Sequence, residues 1–258
     1  MASLTDSIFS RAVGLRVYGL AAIALGWVGL ASGDFAAVWQ PVPKSLPGRS
    51  SLAYLVAAIF LMAGAAMQAM RSARIGALGL TVLYSAGVLL LHLPQIVAMP
   101  SVFVEWSGAA EQLALVAGGM MAYALCAPSR SENTQLLTKA AQYLFATCLL
   151  FFGAAHLVYL KPTSDFVPAW IPPGQMFWAY ATAAGHFAAG IAIFTGIAAR
   201  LATILLTLMF IAFSLLVHGP NLLADPSHFN WAANAINLAL IAAAWLIAAS
   251  YLTPRRLM

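Results

Sequence analysis

Eight stretches of this chain, at about 12–32, 51–70, 75–97, 107–127, 138–160, 175–197, 199–219 and 230–252, are long, apolar and almost free of charge. Each comes close to the roughly 20 residues that an α-helix needs to cross about 30 Å of hydrocarbon. Lipid leaves backbone N–H and C=O groups unsatisfied, and the runs are too long and too apolar for barrel strands, so helix is the expected form. The pattern predicts an all-α integral membrane protein with eight transmembrane helices. The first run leads through "GLASGDF" into further membrane-ordered sequence and reads as a span, not as a cleaved leader.

Composition agrees: charged residues are 7% of the chain and apolar ones 63%, too few charges for an ordinary water-facing surface. The net charge of +5 would suggest nucleic acid in a soluble protein, but its distribution reads as topology, and no nucleic-acid partner is expected. If the spans alternate, Arg11, Arg16, Arg71, Arg74, Arg130, Lys139, Arg200, Arg255 and Arg256 lie on one side. Lys44, Arg49 and Lys161 lie on the other. Nine against three places both termini in the cytoplasm of a multi-pass protein of the bacterial inner membrane, with the loops after spans one, three, five and seven facing the periplasm. The two cysteines, Cys126 and Cys148, form no C-x-x-C pair and read as small buried apolar residues.

The chain also repeats itself. "LLLHLP" at 89–94 answers "LLVHGP" at 215–220, an offset of 126 that also aligns Tyr54 with Tyr180, Gly64 with Gly190, Arg74 with Arg200 and Thr81 with Thr207. With a short gap, "DFAAVWQP" at 34–41 answers "DFVPAWIP" at 165–172. The expected organisation is two four-helix repeats in the same orientation, residues 1–130 and 131–258, forming bundles side by side. His92 and His218 then hold one position written twice, each two residues before a proline expected to help end its helix.

Each half, with its "DF…W-x-P" segment, its "AG…AR" turn and its apolar third and fourth helices, resembles the DoxX-like four-helix membrane proteins. The resemblance covers nearly the whole chain as a tandem pair. It implies a bacterial inner-membrane redox or accessory role, as in a subunit of an archaeal thiosulfate:quinone oxidoreductase, but it carries over no catalytic motif residue by residue.

Ionisable groups inside a span are costly and mark functional positions by default. His186 falls near the middle of span six, His156 near the outer end of span five, and Glu111 about one turn inside span four. Asn230, Asn234 and Asn237 recur at i, i+4 and i+7, which puts three amides on one face of span eight. Together, His156, His186, His218, the asparagines and Glu111 read as the lining of an outward-facing pocket for a small lipophilic or redox molecule. A quinone needs an apolar slot and one or two hydrogen-bond partners; a haem would use histidines on facing helices. His92 and His218 are the pair to which a metal is assigned. No close ligand spacing such as H-x-x-x-H supports a metal or haem, and the amides read equally as interhelical hydrogen bonds. Trp39, Trp106, Trp170, Trp178 and Trp231 fall at outer ends, where aromatic anchors are expected.

No Walker A loop, nucleophile elbow or H-E-x-x-H appears. The leading expectation is a lipid-embedded subunit or partner of a membrane or periplasmic redox protein. A scaffold or assembly protein without chemistry is the alternative, and a small-solute transporter ranks last for want of broken helix pairs and midplane acids.

Overall fold

The computed structural model describes residues 8–129 and 131–252. Of the basic residues assigned to one side of the membrane, Arg130, Arg255 and Arg256 lie outside the described residues. Each apolar run becomes one long helix: α1 (Arg11–Ser32), α2 (Arg49–Ala66), α3 (Ala73–Ala98), α4 (Phe103–Leu125) and α5 (Glu132–Val158). A short α6 (Leu160–Asp165) precedes α7 (Gln175–Thr195), α8 (Ala199–Ala224) and α9 (His228–Ser250). Among the described residues there is no strand.

Seven of these helices are long and apolar enough to cross a membrane. The other long one is α4, whose 23 residues include Glu105 and the adjacent Glu111 and Gln112. Large apolar side chains such as Ile75, Leu90, Leu205 and Leu215 stand exposed around the outside, a surface that only lipid would cover without cost.

Local chemistry sets the helix ends. Gly33 ends α1 in the left-handed region at φ 62°, returning its N–H to the Gly29 carbonyl. Ser131 and Ser227 cap α5 and α9, their hydroxyls accepting from the Thr134 and Asn230 backbone N–H groups. Pro94 and Pro220 do not end their helices as expected. Each follows a π-helical turn, Val88–His92 in α3 and Ser214–His218 in α8, and the helix continues beyond it. The wide turn is closed by the Leu93 N–H on the Val88 carbonyl and by the Gly219 N–H on the Ser214 carbonyl. It restarts the helix, so each proline falls in a new first turn, where a missing N–H costs little.

Neither half closes on itself as a separate bundle. Helix α1 packs along α2, α2 against α3 and α3 against α4, but α1 and α4 barely meet. Likewise α5 packs along α7, α7 against α8 and α8 against α9, while α5 barely meets α9. The ring is closed across the halves, α9 on α1 and α4 on α5, with α4 and α9 in contact through the middle. Glycines permit the tightest approaches: a Cβ at Gly64 would lie 2.5 Å from the Gly19 carbonyl oxygen, and one at Gly190 would lie 3.1 Å from that of Ala146.

Side-chain bonds fix which helix ends share a side. Arg11 at the start of α1 donates to the Leu125 carbonyl at the end of α4, and Gln142 of α5 donates to Ser250 at the end of α9. This arginine end lies opposite the histidine end, where the π turns occur.

Candidate functional site

The second-half histidines do meet. His156 on α5 and His186 on α7 have ring centroids 4.8 Å apart, and Phe152, Phe210 and Phe213 surround the His186 ring. His186 is buried at 1% exposure. Each Nδ1 lies 2.8 Å from the carbonyl four residues back, Phe152 for His156 and Thr182 for His186. A carbonyl only accepts, so Nδ1 carries the hydrogen in both rings and Nε2 is the basic nitrogen of each.

The asparagine stripe faces protein, not an open pocket. Asn237 donates to the Phe210 carbonyl at 3.0 Å and to the Ser214 hydroxyl at 2.7 Å, at the start of the α8 π turn. Asn234 donates to the His218 carbonyl at its far end, 2.8 Å away. Asn230 bonds the Asp225 carbonyl and carboxylate and so ties down the α8–α9 loop. Two amides thus grip both ends of a turn whose backbone bonding is irregular. His218 enters the cluster through its backbone, and its imidazole is half-buried.

Glu111 belongs to another cluster. The segment after α1 folds back so that the 3-10 turn Ala37–Trp39 buries Trp39, whose indole N–H donates to Glu111 at 2.6 Å. The Trp39 carbonyl accepts from Gln112 at 2.9 Å and lies 3.3 Å from His92 Nε2, which makes that nitrogen the donor. An ion pair between Asp34 and Arg49 closes the loop. Burial raises the Asp34 carboxyl, but the hydrogen bond from the Phe35 N–H and the Arg49 guanidinium outweigh it and hold the group below the usual carboxylate value. Trp39 is therefore a buried plug and not an interfacial anchor, while Trp106, Trp170, Trp178 and Trp231 remain exposed as expected.

One expected pocket is thus two clusters. His156, His186, His218, Asn234 and Asn237 gather around the half of α8 that carries the π turn, whereas Glu111 and His92 gather around Trp39. No group of three or more metal-ligating side chains occurs among the described residues, and His92 is committed to the Trp39 carbonyl. A bis-histidine haem does not fit His156 and His186 either, since a separation of 4.8 Å leaves no room for a porphyrin between the rings.

The offset of 126 also relates residues whose partners emerge only in three dimensions. Phe60 and Tyr84, with rings 5.4 Å apart, stand 126 positions before His186 and Phe210, with rings 5.7 Å apart. In the first half an apolar cleft of about 180 Å³ opens there between α2 and α3, bounded by Trp39, Val56, Phe60, Leu83, Tyr84 and Gln112. Gly87 lines it. In the second half the position 126 residues on is Phe213, whose ring stacks with the His156 imidazole and lies tilted to that of His186. Gln112, Phe210 and Phe213 were not expected as site residues; the offset applied to His186 leads only to Phe60, and the two phenylalanines reach the imidazoles through the packing of α8.

The family model DoxX matches residues 141–219, from within α5 through the α8 π turn, which marks this stretch as DoxX-like membrane protein. No curated protein and no solved structure matches the chain.

Proposed function

We propose that this DoxX-like membrane protein binds a small lipophilic molecule of the quinone type at its histidine end, among the first three long helices of a repeat, in the service of an oxidoreductase system. The observation that carries the reading is the His156–His186 pair: two imidazoles held 4.8 Å apart among phenylalanines, each with Nδ1 committed to a carbonyl. A neutral Nε2 accepts a hydrogen bond from a quinol hydroxyl; once protonated, it donates to a quinone carbonyl. The phenylalanine rings supply the flat apolar walls that a quinone ring prefers. The first-half cleft of about 180 Å³ is the same slot left open and without histidines. Apolar cavities of about 150 Å³ are known to hold one aromatic ring.

The architecture belongs to the same proposal. We infer eight spans, with α4 crossing as a helix whose polar groups are turned inward, and two repeats of four spans, residues 1–130 and 131–258. The π turns fall 126 residues apart, and the helix pairings are unchanged when α1, α2, α3 and α4 are exchanged with α5, α7, α8 and α9. Among the described residues, Arg11, Arg16, Arg71, Arg74, Lys139 and Arg200 lie at the arginine end and three basic residues lie at the other. That bias favours a cytoplasmic arginine end in a bacterial inner membrane and a periplasmic histidine end.

Titration of the purified protein with a short-chain quinol, followed by intrinsic fluorescence, tests the ligand class. Saturable binding that His186→Phe abolishes, with the unfolding midpoint retained, is the expected result. Binding that survives the substitution overturns the assignment of the site.

The scaffold reading rests on the asparagines and Glu111 being spent on protein groups. Co-purification of a stable partner that is indifferent to loss of His156 and His186 would favour it.

A further inference from the structure

The arginine end carries a second cavity, unrelated to the histidines. It has a volume of about 700 Å³ and lies where the ends of α1, α4, α5 and α9 converge. That is within the roughly 300–1,000 Å³ typical of small-ligand sites. Its walls present Arg11, Lys139, Thr134, Thr138, Gln142 and Ser250, and among the described residues no carboxylate lines it. Two cations facing one cavity at the edge of a membrane give it a positive potential that favours an anion. Arg11 spends one guanidinium N–H on the Leu125 carbonyl and keeps other donors, while Lys139 is in no ion pair among the described residues. Ser129 and Gln142 add polar groups to the wall.

We propose that this cavity takes a phosphate-bearing anion, and that in the membrane the headgroup of an anionic phospholipid supplies it. The chemistry is that of a basic hollow between transmembrane helices at the level of the headgroups. The place gives it a consequence. The cavity sits on the seam where α4 meets α5 and α9 meets α1, the contacts that join the two halves. A headgroup held by Arg11 and Lys139 therefore bridges α1 and α5, the first helices of the two halves, and strengthens the join.

The test measures the thermal unfolding midpoint of the full-length protein in mild detergent, titrated separately with phosphatidylglycerol, phosphatidylcholine and inorganic phosphate. Phosphatidylglycerol raises the midpoint more than phosphatidylcholine does, and Lys139→Gln weakens its apparent affinity about fivefold. Arg11→Gln weakens it likewise, but it also removes the bond to Leu125, so Lys139→Gln is the deciding variant. If inorganic phosphate stabilises as strongly as the anionic lipid, the lipid source is wrong and the anion site stands. Equal responses to both lipids without a phosphate effect, or a phosphatidylglycerol response untouched by Lys139→Gln, overturn the proposal.

Discussion

Glu111 accepts the indole N–H of Trp39 at 2.6 Å, so a carboxyl group inside the helix bundle is spent on pinning a loop that folds back from the end of α1. Asn237, 126 residues further along, holds the π turn of α8 instead. Removing the acceptor leaves a buried indole donor unpaired, which costs about 1–3 kcal/mol. Glu111→Ala should lower the unfolding midpoint by several degrees and red-shift the tryptophan emission as Trp39 becomes wetter. Glu111→Gln keeps an acceptor and should fall well short of both effects. Calorimetry and fluorescence on the two variants check this.

The amides on α9 are expected to behave as structural bonds, not as ligand contacts. Asn237→Leu and Asn234→Leu should each cost about 0.6 kcal/mol, with roughly 1.7 kcal/mol as an upper bound for such bonds in membranes. Hydrogen exchange should quicken across residues 210–219 and stay unchanged across α2. A loss of ligand binding without faster exchange there would contradict this account.

Phe213 stands 126 positions after Gly87, which lines the first-half cleft, and its ring lies beside both imidazoles. Phe213→Ala should open a cleft beside His156 and His186 and tighten binding of a short-chain quinol several-fold, provided the slot is the binding place. Weaker binding on truncation would mean that the ring is a wall of the site and not its plug.

The Asp34 carboxyl is more acidic in the folded protein than in the unfolded chain. Its contribution to stability is therefore complete above the unfolded value of about 4 and is lost as pH falls through the lower folded value. In Asp34→Asn the acid limb of a midpoint-against-pH curve should be shallower, with little change in the relative behaviour of the two proteins above pH 5. Arg49→Gln should flatten the limb only in part, since the hydrogen bond from the Phe35 N–H still lowers the carboxyl.

Much of the architecture was legible in the sequence because it is local. Whether 20 residues prefer lipid to water depends on those residues alone, and all eight apolar runs reappear as helices whose ends lie within six residues of those expected. The offset of 126 and the burial of His186 were likewise open to reading, the first by comparing the chain with itself and the second from depth within a run. Tertiary structure decided what each polar group does. A histidine two residues before a proline reads as the end of a helix, but a π turn lets α3 and α8 continue because a carbonyl five residues back closes the turn. Three amides on one face read as a lined pocket, but the partners of two of them lie on α8, in a register set by how α8 packs on α9. Trp39 reads as an interfacial anchor, yet it is buried because Glu111, Gln112 and His92 on α3 and α4 together satisfy its indole and its carbonyl. Hydrophobic length is a property of one segment; the partner of a buried polar group is a property of two, and only the packing of helices brings those two together.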